Sequence, residues 1–137
     1  CGDRASASLA VSLFRPLGVR VTVMPLAAHD PLMADVQALP RLASLAFALA
    51  LARGRRTARG LARVATPSLR RQLEVSRHVA REAPELSFGI QALNPASIRA
   101  LDRLAASLAQ LRATVRSGDA RSFHRALQSA RAVLAGP

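Results

Sequence analysis

Between His29 and Ala52 the sequence HDPLMADVQALPRLASLAFALALA is apolar around almost its whole circumference, and any fold of this chain has to bury or partner it. Asp30 followed by Pro31 reads as a helix start, a carboxylate able to accept from free backbone N–H groups and then a ring whose missing N–H costs nothing in a first turn. Leu32, Val36, Leu39, Ala43, Ala46 and Ala50 keep a helical period, and Leu42, Leu45, Phe47, Leu49 and Leu51 fill most of the remaining faces. A helix apolar all round belongs in an interior. Its exceptions are Asp35, Gln37, Arg41 and Ser44, the last three spaced to fall on one narrow stripe. Two readings of that stripe stand side by side, a solvated edge of a core helix or the polar wall of a ligand cleft. A bilayer span does not fit, because the uninterrupted run 42–52 is shorter than the ~20 apolar residues a span needs and is flanked by Pro40, Arg41 and Arg53.

Length and charge narrow the class. At 137 residues the chain is of single-domain size and long enough for a core. Its one cysteine, Cys1, excludes an internal disulfide framework and a cysteine-based metal site, and with no apolar leader at the start a cytoplasmic location is expected. The missing initiator Met points to an excised piece. The net charge of +12 raises nucleic acid as a partner. However, all 20 basic residues are Arg and none is Lys, the pattern GC-rich coding produces unaided, and Tyr and Trp, the stacking residues of single-strand binders, are absent. The charge is equally available to an anionic small molecule. We find no repeat, glycine-rich phosphate loop, Cys/His cluster or nucleophile and base pair, so no metal site is expected.

Taken in order, residues 5–14 form a short helix carrying Leu9, Leu13, Phe14 and Leu17 toward a core, closed by Pro16 and Gly18. Residues 19–23, Val-Arg-Val-Thr-Val, alternate as a strand does. A lone strand cannot satisfy its own backbone, so its sheet would have to lie outside this sequence. The basic stretch 53–63 reads as a solvated connection with a short helix or, alternatively, as the contact of a small basic helical module with nucleic acid. Thr66-Pro67 starts a helix burying Leu69, Leu73, Ser76 and Val79. Arg70 and Arg71 in its first turn oppose the helix dipole, which gives one of them a reason to meet an anion, with Glu74 the local alternative for Arg70. Pro84 starts another helix, and Asn94-Pro95 a long one striped by Ile98, Leu101, Ala105, Leu108, Leu111 and Val115. Gly118 ends it, Asp119 caps the last, and Phe123, Leu127, Ala130 and Leu134 face inward, giving a helical hairpin. His78 and His124 read as surface residues.

His29-Asp30, Met33-Ala34, Gln37-Ala38-Leu39, Thr66-Pro67 with Arg70, Pro84-Glu85-Leu86, and Ser117-Gly118-Asp119 with Phe123 together resemble the C-terminal helical domain of the prephenate dehydrogenases, closest to the form fused to chorismate mutase. The resemblance covers nearly the whole chain in order. It implies a mainly α fold: residues 1–25 as the last helix and strand of a truncated Rossmann domain, and 26–137 as a helical dimerisation and substrate-binding domain. It implies an enzyme of tyrosine biosynthesis that oxidatively decarboxylates prephenate or a related cyclohexadienyl acid. Hydride would pass to NAD, bound mainly by the absent N-terminal domain, and no catalytic residue would lie in this fragment, leaving it inactive alone. By the same resemblance Arg70 binds the ring carboxylate and Gln37 lines the cleft, with Arg41 and Arg70 the expected anion contacts and Gln37 the third substrate-binding residue; His29 and Asp30, and Ser44 from the polar stripe, are structural or cleft residues. Arg70 is then expected to share one cleft with Gln37 and Arg41. Two departures, Arg41 where the family usually has His and Ser87 where many members have a large aromatic, open the way to arogenate or an aminodeoxyprephenate as substrate. The apolar excess of the long helix predicts a homodimer with no membrane partner.

Overall fold

The computed structural model describes residues 4–135, and the lone cysteine at position 1 lies outside them. Eight α-helices run in order: α1 Arg4–Phe14, α2 Leu26–Met33, α3 Leu39–Arg53, α4 Ala58–Ala62, α5 Pro67–Ala80, α6 Pro84–Ala92, α7 Ala96–Ser117 and α8 Ala120–Leu134. A single π turn, Ala34–Ala38, joins α2 to α3, so that Leu26–Arg53 is one uninterrupted helical run. The fold is mainly α, and among the described residues no strand forms.

The long run starts five residues earlier than its sequence signals predict. Pro25, not Asp30, holds the N-cap position, and its carbonyl accepts the N–H groups of Ala28 and His29. Asp30 and Pro31 are therefore inside the helix, where the proline removes one ladder bond without breaking the run. Pro40 has a larger effect. It has no N–H to offer the Val36 carbonyl and its ring crowds that carbonyl, so the turn ahead of it widens and the Leu39 N–H bonds back five residues to Ala34.

This widened turn is the centre of the molecule. Ala34 packs with Ala96 and Ala100 of α7, with Leu39 against the cluster, while Ala38 is buried beside them in sequence. Methyl side chains let two helices approach closely, and they bury little apolar surface in return. Farther along, α3 packs on α5, where Leu73, Ser76 and Val79 are buried as expected, and the Ser76 hydroxyl donates to the Ser44 carbonyl at 3.1 Å. By length and composition Leu26–Arg53 could cross a bilayer. Along it, Arg41 pairs with Glu82 in the link after α5, and the Ser44 carbonyl accepts from Ser76 on α5.

The caps follow the sequence closely. Thr66 accepts from Leu69 N–H, Gly118 takes the left-handed conformation (φ 67°), and Asp119 accepts from Ser122 N–H. Residues 53–63 form a connection holding the short α4, capped by Thr57. Asn94 does double duty: its carbonyl oxygen accepts from Ala96 N–H and its amide donates to the Asp30 carbonyl at 2.8 Å, tying α7 to α2.

Residues 19–23 have no regular structure, as expected of a strand whose sheet lies outside the described residues, since no neighbouring strand there takes their backbone bonds. A second expectation, on burial, fails. The faces expected to turn inward are open: Leu9, Leu13 and Phe14 on the first helix and Leu17 just after it, much of the α7 stripe, and Leu134, which is 82% exposed. The helices and their apolar faces exist, but one copy of this chain supplies nothing to cover them. The accessible area is 11239 Å², against about 6,900 Å² for a compact monomer of this mass.

Asp119 carries a pH dependence. Hydrogen bonds from the Ser122 hydroxyl (2.5 Å) and Ser122 N–H, with the Arg125 charge adding to them, hold its carboxyl below the ordinary value. A depressed folded-state pKa stabilises the native form above the unfolded value, and that contribution is lost as pH falls through the folded one. In an acid titration the start of α8 should fray below the ordinary carboxylate range. Asp119→Asn should keep the cap and flatten the transition, as followed by the amide shift of Ser122.

Candidate functional site

A hollow of about 500 Å³ opens between the first half of the long helical run and α6. One wall carries His29, Asp30, Met33 and Gln37, which recur at helical spacing; the other carries Glu85, Leu86, Gly89, Ile90 and Leu93, with Asn94 at the end. His29 Nδ1 lies 3.1 Å from Asp30 Oδ1. The absent side chain of Gly89 leaves its part of the wall open, with nothing within 4 Å of where a Cβ would stand. Two carboxylates, an imidazole and two amides surround a largely apolar floor, the mix of a small-molecule site in which few polar groups fix orientation.

The structure brings His29, Asp30 and Gln37 together and places the other expected residues elsewhere. Ser44 is buried, with its carbonyl engaged by Ser76. Arg41 turns away from the hollow to an ion pair with Glu82, its Nε reaching the two carboxylate oxygens at 3.1 and 3.3 Å, while Nη1 donates to the Gln37 carbonyl at 3.3 Å. Gln37, Arg41 and Ser44 thus do not form one cleft wall: the first faces the hollow and the other two face α5 and the link beyond it. Arg70 lines a second hollow of about 430 Å³ with Ala62, Ala65, Leu73, Glu74 and Arg77, not one shared with Gln37 and Arg41. Its guanidinium makes no ion pair among the described residues, with Glu74 included. The expected single cleft fails because Arg41 found a carboxylate 41 residues away, a pairing no local pattern announces.

Glu85, Asn94 and Glu82 carry weight that sequence reasoning did not give them. The blocks Pro84-Glu85-Leu86 and Asn94-Pro95 were visible as helix starts, and only the fold sets them against His29 and Asp30. Among the described residues no group of three or more His, Cys, Asp or Glu side chains is placed to hold a metal.

Helices joined through alanines, with large apolar residues left outward, suit an association domain, and a hollow of mixed polarity lies on one side of it. Residues 25–129 match the family described as prephenate dehydrogenase, dimerization domain, and the chain belongs to that family. Among curated proteins, a 4-amino-4-deoxyprephenate dehydrogenase of Streptomyces pristinaespiralis is 35% identical over 124 residues. That match covers 90% of this chain and 42% of the relative, so the chain spans less than half of that protein's length. No solved structure matches the chain.

Asn94 gives a direct test of how the hollow is held. Asn94→Ala removes the cap of α7 and the bond to the Asp30 carbonyl together, and should cost about 1–3 kcal/mol in denaturant unfolding. Asn94→Asp should retain the cap but not the donated bond, and so lose only part of that stability.

Proposed function

We propose that this chain supplies the dimer-forming and substrate-side part of an NAD-dependent dehydrogenase acting on a cyclohexadienyl acid, 4-amino-4-deoxyprephenate ahead of prephenate. The observation that carries the reading is the family match over 25–129, on a fold whose polar hollow is built from the same blocks, His29-Asp30, Gln37 and Pro84-Glu85-Leu86. The amino acid analogue is favoured by the hollow's own charge. Asp30 and Glu85 line it and no arginine does, which suits a substrate bearing an ammonium better than one bearing a hydroxyl at that point. The similar Streptomyces protein, named for that substrate, agrees.

The dinucleotide does not fit this chain. The described residues hold no strand and no glycine-rich turn between a strand and a helix, the elements that cradle a pyrophosphate. NAD would be held by a further domain, to which residues 1–25 would belong, and this chain's part is to bind and orient the acid. Alone it should show no activity. The carboxylate contact that the resemblance gives to Arg70 would have to be made from the second hollow, which this chain holds apart from the first; Arg70 is unpaired among the described residues whereas Arg41 is engaged.

The area left exposed beyond that of a compact monomer is roughly 4,300 Å². Obligate interfaces remove about 2,000–5,000 Å² in total, roughly 1,000–2,500 Å² from each chain, so a second copy on the open apolar faces accounts for part of it. Light scattering of the chain at micromolar concentration should give twice 14.5 kDa, and a monomer would refute the dimer.

The activity is tested by joining this chain to the remainder of the Streptomyces relative, in place of the matched segment. The chimera should oxidise 4-amino-4-deoxyprephenate with NAD at a higher kcat/KM than prephenate. A folded dimeric chimera that turns over neither acid would overturn the reading. Arg70→Ala in the active chimera should weaken acid binding by roughly 2–5 kcal/mol while leaving the KM for NAD unchanged, and Arg70→Lys should recover only part. An unchanged KM for the acid would remove Arg70 from the site.

A further inference from the structure

We propose that Arg41 is a positioning residue: together with Glu82 it latches the two walls of the hollow to each other, and it does not itself touch substrate. Its substrate-side consequence rests on the function proposed above, whereas the latch stands on geometry alone.

The guanidinium is placed where the two walls would otherwise be independent. One wall continues from the π turn, whose ladder is already weakened because Pro40 offers no N–H. Arg41 reaches back to the carbonyl of Gln37 in that turn, the same residue whose side chain faces the hollow. The other wall is α6, which begins at Pro84, and Glu82 sits in the short link just before it. Through Nε the same guanidinium takes both Glu82 carboxylate oxygens. A single planar group therefore bonds the turn that presents Gln37 and the link that aims Glu85 and Leu86. An arginine can do this because its donors diverge in a fixed plane; a lysine ammonium or a histidine ring at the same position could not serve both partners with that geometry.

Burial makes the latch effective. The Arg41 side chain is 26% exposed and that of Glu82 13%, so water screens the pair only partly. Removing either partner leaves the other as a half-buried, unpaired charge, which is costlier than losing an exposed pair. Apart from the latch, the π turn is held by Ala34 packed against α7 and by the exposed pair of Asp35 with Arg103, and neither of these contacts reaches α6 or the link before it. Loss of the latch should then be felt first as local opening of residues 34–41 and only later as global unfolding.

The test compares Arg41→Met with Glu82→Met. In the 137-residue chain without ligand, backbone amide hydrogen exchange at Val36, Leu39 and Arg41 should accelerate roughly tenfold or more in both variants, and the double variant should be no faster than the single ones. In the active chimera both variants should raise the KM for the acid by a similar factor, with the KM for NAD unchanged. Arg41→Lys should recover neither exchange nor KM fully. A direct substrate contact by Arg41 predicts otherwise: Arg41→Met raises the KM while Glu82→Met leaves it at the wild-type value, and that result would overturn the proposal. Unchanged exchange in both variants would overturn it as well. Should the chimera be inactive toward both acids, the function proposed above falls, and the exchange measurement alone decides the latch.

Discussion

The arrangement depends on one missing hydrogen-bond donor. Because Pro40 has no N–H for the Val36 carbonyl, the helical run cannot pass through position 36 with a regular ladder, and the turn before it widens by one residue. An extra residue in a turn rotates everything downstream about the helix axis. Upstream of it, His29, Asp30 and Met33 face α6 and the hollow; downstream, Arg41 and Ser44 face α5 and its link. A straight α-helix would have kept the polar positions on one stripe, facing one neighbour. The widened turn lets a single helix bind three others, α5, α6 and α7, at different azimuths.

What was legible in the sequence was whatever is decided within four or five residues. Thr66 before Pro67, Asp119 after Gly118, and the glycine with positive φ all act locally, and each sits where its chemistry put it. Asp30-Pro31 misled for the same reason. The pair is a sound local start signal, but a helix begun at Pro25 is long enough by position 30 to absorb a proline. The alternation of Val19, Val21 and Val23 was likewise a true propensity without a partner, and propensity alone does not make a sheet.

The candidate site was legible in part. Of the residues that the resemblance picked out, His29, Asp30 and Gln37 line one hollow. The grouping of Arg41 and Arg70 with them was wrong because it treated spacing on one helix, and resemblance along a chain, as proximity in space. The Arg41 to Glu82 pair spans 41 residues, and the second hollow sets Arg70 among Ala62 and Ala65 ahead of α5 and Leu73, Glu74 and Arg77 on it. Contacts of that range are set by packing between elements, and a single sequence holds no record of them.

The alanine crossing between the π turn and α7 has a further consequence, for how this protein can change over generations. Ala34, Ala96 and Ala100 are each at most 4% exposed, and alanine is the smallest side chain that still favours a helix. Any larger residue would force the helices apart, and the sole smaller one, glycine, weakens both. Most buried positions can drift in either direction of volume while a neighbour compensates. These three have no room on one side and a floor on the other, so they are nearly closed to neutral substitution. Change on this side of the molecule would have to proceed at the rim of the hollow, in residues such as Glu85 and Leu86, with this joint left as it stands.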